Sequence, residues 1–256
     1  MESEYEALIS NGTWTLTDLP EGRKAIRCKW VYRTKLHGNG NIDRYKARLV
    51  IKGYSQRKGV DYEDTYAPVV RHSSLRYLFA LAARWNLQIY QMDAITAFLQ
   101  GELSKEIYME QRACFMDTQN QAKVCHLKKA LYGLKQSSRV WNMKLDAALQ
   151  RFGFKCTVYD PCVYYKISGD KMLFLAVYVD DVLILTNCNR LKKEIKAKLN
   201  QEFKMKDMGP AKHALGIQIT KTDVMVALDQ ESYVEAVLSR FNMTNFTVSH
   251  VESGLQ

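Results

Sequence analysis

Asp180 and Asp181 stand side by side within Phe174-Leu-Ala-Val-Tyr-Val-Asp-Asp-Val-Leu-Ile-Leu-Thr186, between two runs of apolar, β-prone residues. Apolar runs of this length bounded by turn residues read as buried strands, which puts both carboxylates at the tip of a β-hairpin. Like charges this close repel, and one pKa rises unless a cation sits between them. A solvated turn is one reading, because Asp is favoured in turns. A divalent-metal site is the other, because Mg²⁺ takes hard oxygen ligands. A third carboxylate has a suitable setting: Asp93 closes Leu87-Gln-Ile-Tyr-Gln-Met-Asp93 and is followed by Ala94-Ile-Thr-Ala-Phe-Leu99. A strand that ends on Asp and turns into a short helix can aim that carboxylate at a neighbouring hairpin tip. Three aspartates on two adjacent strands could hold two Mg²⁺ ions about 3.5–4 Å apart, the separation used for in-line phosphoryl displacement.

The charge distribution points to an anionic partner. The 256-residue chain carries 37 basic and 27 acidic side chains, a net charge of +10. Residues 21–58 hold twelve of the basic residues against only Glu21 and Asp43, so this one segment accounts for the whole excess. Within it, Ala25-Ile-Arg-Cys-Lys-Trp-Val-Tyr-Arg33 and Tyr45-Lys-Ala-Arg-Leu-Val-Ile-Lys52 alternate apolar with basic residues around His37-Gly-Asn-Gly-Asn41. Two amphipathic strands joined by a Gly/Asn turn make a hairpin with one positive face. Charge runs are often only solubilising surface. Here Trp30, Tyr32 and Tyr45 lie among the charges, and basic and aromatic residues on one sheet face favour phosphates and bases.

The remaining pattern supplies the scaffold. Ser73 can cap a helix from Leu75 to about Trp85, and a second helix is expected from Ser138 to Arg151. Strands are expected at Cys162–Ile167, Met172–Tyr178 and Val182–Thr186, then a charged helix from Asn189 to Phe203. A hairpin between Leu215 and Leu228 and a helix from Gln230 to Phe241 end the pattern. Helices interleaved with strands joined by tight turns imply an α+β fold with antiparallel pairs. The six cysteines form no Cys-x-x-Cys pair and the five histidines are scattered, which speaks against a zinc site or disulfide framework. No run of eighteen apolar residues and no N-terminal charged-then-apolar signal is present, so no membrane partner is expected and a cytoplasmic or nuclear location is.

In order along the chain stand Asn11-Gly-Thr-Trp14, Lys29-Trp-Val31, Arg44-Tyr-Lys-Ala-Arg-Leu-Val50, Asp64-Thr-Tyr-Ala-Pro-Val69, Gln91-Met-Asp93 with Ala97-Phe-Leu99, Ile107-Tyr-Met-Glu110, Leu131-Tyr-Gly-Leu-Lys-Gln136, Tyr178-Val-Asp-Asp181 and Leu215-Gly-Ile217. Each is weak alone, but together the series resembles the reverse transcriptase region of copia-type LTR retrotransposon Pol polyproteins over nearly the whole chain.

The resemblance implies an RNA-directed DNA polymerase with a right-hand architecture. Residues 21–70 would form basic fingers, 71–229 a palm with interleaved fingers elements, and 230–256 a residual thumb. Asp93, Asp180 and Asp181 would be the catalytic carboxylates and ligands of Mg²⁺, for which Mn²⁺ could substitute, with the Ala94 carbonyl as a further ligand. Lys46 and Arg48 would neutralise a deoxynucleoside triphosphate, Phe98 would press on the sugar 2′ carbon, and Lys135 would lie near nucleotide or template. The polymeric partners would be an RNA or DNA template and its primer. Departures occur at Ser138, at His213-Ala214, where apolar bulk is lost from the hairpin expected to grip the primer, and at Arg112-Ala-Cys114. The shortness of the expected thumb suggests a truncated copy, and with the concentrated charge it motivates an alternative: a catalytically degenerate nucleic-acid-binding remnant. A nucleotidyl cyclase also sets acidic residues on a palm-like sheet, but it gives the basic hairpin and the Leu131–Gln136 segment no role.

Overall fold

The computed structural model describes residues 1–36, 41–112, 115–222 and 225–244. Helix α1 (Glu2–Ser10) buries Leu8, and the Thr13 hydroxyl donates to the Leu8 carbonyl at 2.6 Å where the chain turns into strand β1 (Trp14–Thr17). The alternating basic segment forms the expected hairpin, β2 (Cys28–Leu36) with β3 (Ile42–Ile51); four of its turn residues, 37–40, lie outside the described residues. Helix α2 (His72–Arg84) buries Leu75, Leu78, Phe79 and Ala82, the i, i+3, i+4, i+7 stripe of an amphipathic helix. It starts ahead of Ser73, and Ser73 does not cap it. Instead the buried Asp160, distant in sequence, accepts from the Arg71 backbone N–H at 3.0 Å.

Next come β4 (Gln88–Ala94), a 3₁₀ turn at Ala97–Gln100, β5 (Glu102–Met109), β6 (Val124–Lys129) and helix α3 (Ser137–Arg151). The short β7 (Lys155–Cys156) precedes β8 (Val163–Ser168), β9 (Lys171–Tyr178) and β10 (Asp181–Thr186). Helix α4 (Asn189–Glu202) leads to β11 (Met205–Pro210), β12 (His213–Ala214), β13 (Ile217–Lys221), β14 (Val226–Asp229) and α5 (Glu231–Arg240). None of the residues of α5 is buried. Residues 113, 114 and 245–256, which include Cys114 and the end of the expected thumb, lie outside the described residues.

The strands make a six-stranded sheet in the order β11-β4-β10-β9-β8-β7, two three-stranded sheets, β1-β6-β5 and β12-β13-β14, and the β2-β3 ribbon. Every strand ladder is antiparallel, so the fold is α+β as expected. Strand β11 and the β1-β6-β5 sheet lie outside the elements expected from the sequence. One core lies between the six-stranded sheet and helices α2, α3 and α4. Ala214 is buried within it, so its small side chain is accommodated. A second core joins Leu8 to the hairpin's Cys28, Trp30, Leu49 and Ile51 and to apolar residues between Leu99 and Leu134.

A backbone joint ties the β2-β3 ribbon to the loop before α3. The Ile51 N–H donates to the Tyr132 carbonyl at 2.8 Å. Gly133, at φ +94°, makes the approach possible: a Cβ there would lie 2.1 Å from the Ile51 oxygen, a distance no side chain tolerates. The joint sets Tyr132 against the basic hairpin.

Candidate active site

The expected hairpin tip is present, and the structure reveals what holds it. Asp181 opens β10 and pairs across the turn with Tyr178, leaving Val179 and Asp180 as the two turn residues. Val179 has φ +55°. For a β-branched residue this left-handed backbone costs on the order of 1–3 kcal/mol and persists only where surrounding contacts impose it. Two such contacts are present: the Trp141 indole N–H donates to the Val179 carbonyl at 2.7 Å, and the Ala94 N–H donates to the Asp180 carbonyl at 2.8 Å. The second bond comes from the strand that carries Asp93. In the sheet Asp93 lies between Asp181 on β10 and Lys206 on β11.

All three aspartates line one cavity of about 580 Å³. Burial, followed by the charges of Asp180 and Asp181, pushes the Asp93 carboxyl above its ordinary range, while Lys46 and Lys206 pull it back. Asp181 is also pushed up, first by burial and also by Asp180, against the hydrogen bond it accepts from the Gln91 side-chain amide at 2.8 Å. The carboxylates thus feel one another electrostatically, as their spacing in the sequence implied.

The hairpin supplies the cavity's opposite charge. Its register pairs Val31 with Arg48, Arg33 with Lys46 and Lys35 with Arg44, so one ribbon face carries successive rows of cations. Arg44, Lys46 and Arg48 all line the cavity. Burial, then the neighbouring Arg48, holds the Lys46 ammonium below its usual range. The Arg48 guanidinium sits 4.9 Å from the centroid of the Tyr132 ring, and Tyr132 lies 4.9 Å from the Phe98 ring. Phe98 is therefore connected to the cavity through Tyr132, which itself lines it.

Lys135 is placed elsewhere. Its Nζ lies 4.8 Å from the Tyr62 ring centroid, with the Tyr62 hydroxyl at 3.2 Å and the Gln56 carbonyl at 3.5 Å. These contacts occupy it with the loop before α2. Gln91, Tyr132, Lys206 and Glu4 also line the cavity, beyond the residues assigned to the site from the sequence. Gln91 was detectable, since it is two residues before Asp93 on the same strand face. Lys206 takes its place beside Asp93 through the pairing of β11 with β4.

A divalent cation fits this donor set in its chemistry: three carboxylates, two of them with raised pKa values, are hard oxygen ligands whose repulsion a cation would relieve. They surround an open cavity and do not converge on one point; among the described residues no three Asp, Glu, His or Cys side chains are already gathered as an ion's ligands.

A family model for "Reverse transcriptase (RNA-dependent DNA polymerase)" matches residues 11–252. Over 248 residues, 96% of its length, the chain is 44% identical to the Retrovirus-related Pol polyprotein from transposon TNT 1-94 of Nicotiana tabacum. Over 244 residues, 95% of its length, it is 38% identical to the polyprotein from transposon RE1 of Arabidopsis thaliana. The chain spans 19% and 17% of these two polyproteins. Among solved structures, apo telomerase from Candida tropicalis, truncated from its C-terminal domain, superposes with a TM-score of 0.44 at 9% identity, covering 89% of this chain and 59% of that one. With its ordered motifs and a family match over almost its full length, the chain belongs to the reverse transcriptase family, as a domain of the kind found in retrotransposon Pol polyproteins.

Proposed function

We propose that the cavity is a polymerase centre that adds deoxynucleotides to a primer 3′-hydroxyl on an RNA or DNA template. One observation carries this reading: three carboxylates and three hairpin cations line the same cavity, a division of charge suited to metal-assisted phosphoryl transfer. Mg²⁺ held by Asp93, Asp180 and Asp181 would supply Lewis acidity toward the 3′-hydroxyl and the phosphate oxygens. The chain's own groups do the rest. Lys46 and Arg48 bind the triphosphate and fix its direction, while Lys206 tempers the repulsion at Asp93. Gln91 orients the Asp181 carboxylate. In this reading residues 21–70 are fingers, 71–229 the palm with interleaved fingers elements, and 230–256 the start of a thumb. Tyr32 and Tyr45 are exposed on the ribbon face opposite that of Lys46 and Arg48, not interleaved with them on one face as expected, and there they offer stacking faces to single-stranded template.

The direct test is primer extension on an RNA template with Mg²⁺ or Mn²⁺, with the Asp180→Asn, Asp181→Asn double variant as control. Extension by the wild type alone is expected. Well-folded protein that binds primer-template in a salt-sensitive way but extends it with neither metal would instead identify a binding remnant.

Phe98 gives a second test. A ring fixed against Tyr132 forms a rigid wall, and a 2′-hydroxyl cannot be accommodated where packed atoms cannot yield. Phe98→Ala is expected to raise ribonucleotide incorporation relative to deoxynucleotide by roughly tenfold or more. Unchanged sugar discrimination in an otherwise active enzyme would remove Phe98 from that wall.

A further inference from the structure

Glu4, in the first turn of α1, lines the same cavity as Lys46, Arg48 and the three aspartates. Its Oε1 is shielded from solvent and accepts no hydrogen bond. A carboxylate oxygen in that condition is costly unless opposite charge compensates. Burial pushes the Glu4 carboxyl up, and Lys46 and then Arg48 are the leading charges that pull it back. These are the two cations assigned above to the incoming triphosphate.

We propose that Glu4 is an internal competitor for the phosphate-binding cations: its carboxylate balances Lys46 and Arg48 when no polyphosphate does so, and it gives them up when one enters. The inference rests on the nucleotide reading of the cavity and deepens it by naming a residue that sets affinity for the polyphosphate. Arg48 is held by the Tyr132 ring, so the cation stays in place while the anion beside it changes. Helix α1 also stays in place, because Leu8 is buried in the second core and the Tyr5 ring stacks on Phe115 at 4.4 Å. Release of the cations therefore requires rotation of the Glu4 side chain, with loss of its hydrogen bond from the Leu49 backbone. A polyphosphate outcompetes a single carboxylate through its greater charge, but the binding free energy is reduced by the attraction that Glu4 gives up.

The test is calorimetric titration of the full chain with inorganic tripolyphosphate in the presence of EDTA. Glu4→Gln, nearly isosteric, is expected to lower Kd roughly three- to tenfold. Glu4→Ala should tighten binding as well, whereas Glu4→Asp, which keeps the charge, should stay closer to wild type. Unchanged binding in the Gln and Ala variants would overturn the proposal, and so would weaker binding, which would mean that Glu4 orients the cations for the ligand. Lys46→Gln separates the two levels of inference. If binding depends on Lys46 but not on Glu4, only the role of Glu4 falls; if it is indifferent to Lys46, the nucleotide reading of the cavity falls with it.

Discussion

Asp93→Asn is expected to reduce RNA-templated primer extension by at least about 10²–10³-fold and, at neutral pH without metal, to make the protein more stable. The two effects have one cause. Asp93 is partly buried on β4, between β11 and β10, beside two further carboxylates, and both burial and their charge raise its pKa in the fold. An acid whose folded pKa exceeds its unfolded value binds more protons in the native state. Stability therefore falls as pH rises from the ordinary carboxylate value of 3.8 through the raised folded one, and above that window the native state carries the full penalty. Asparagine does not titrate there, so the stability of the variant should exceed that of wild type increasingly across the window. Mg²⁺ should reverse the order by stabilising wild type through mass action, with little effect on the variant. Thermal melts from pH 4 to 8 in EDTA, repeated at neutral pH with Mg²⁺, check each part. A variant less stable than wild type in EDTA, or one equally stabilised by Mg²⁺, would show that the three carboxylates do not form one electrostatic unit.

The parts of this centre that could be read from the sequence are those set by local pattern. Two β-prone runs around Asp180-Asp181 bury both flanks as a hairpin, and alternation along residues 44–52 puts Lys46 and Arg48 on one face whatever surrounds them. What escaped depends on contacts between distant segments. Strand β11 ends in Gly209-Pro210 and is mostly exposed, so no periodicity marks it, yet its pairing with β4 places Lys206 opposite Asp93. The entry to α2 is fixed by Asp160, about ninety residues away in sequence, which accepts from the Arg71 backbone N–H and which no local signal at Ser73 could reveal. Lys135 shows local and distant information side by side. Its motif suggested a role near nucleotide or template, but Tyr62 and Gln56 engage its ammonium. Glu4 lay in a segment with no chemical signature and became visible only when α1 packed against the basic ribbon.

The strained hairpin tip connects this scaffold to catalysis, and Trp141 is where the connection can be cut. Its side chain is almost wholly buried and meets the Phe203 ring edge-on at 5.1 Å, while its N–H holds the Val179 carbonyl. Trp141→Ala removes both functions and should cost about 3–5 kcal/mol, as large aromatic deletions in cores do. Trp141→Phe is more discriminating, because it keeps most of the ring packing and loses the donor. Its stability cost should be about 1–3 kcal/mol, the usual range for a polar group deprived of its partner. With that donor gone, the turn keeps the bond from Ala94 to Asp180, and the left-handed Val179 backbone can relax toward ordinary φ. Relaxation moves Asp180 and Asp181 relative to Asp93, and misplacement by about 1 Å can cost 10²-fold in rate. Trp141→Phe should therefore lose kcat out of proportion to its stability, with primer-template affinity little changed. Urea unfolding and single-turnover extension on the same preparation would measure the two quantities together. A Trp141→Phe variant that loses stability but extends primers at the wild-type rate would show that the aspartates hold their positions without help from the indole.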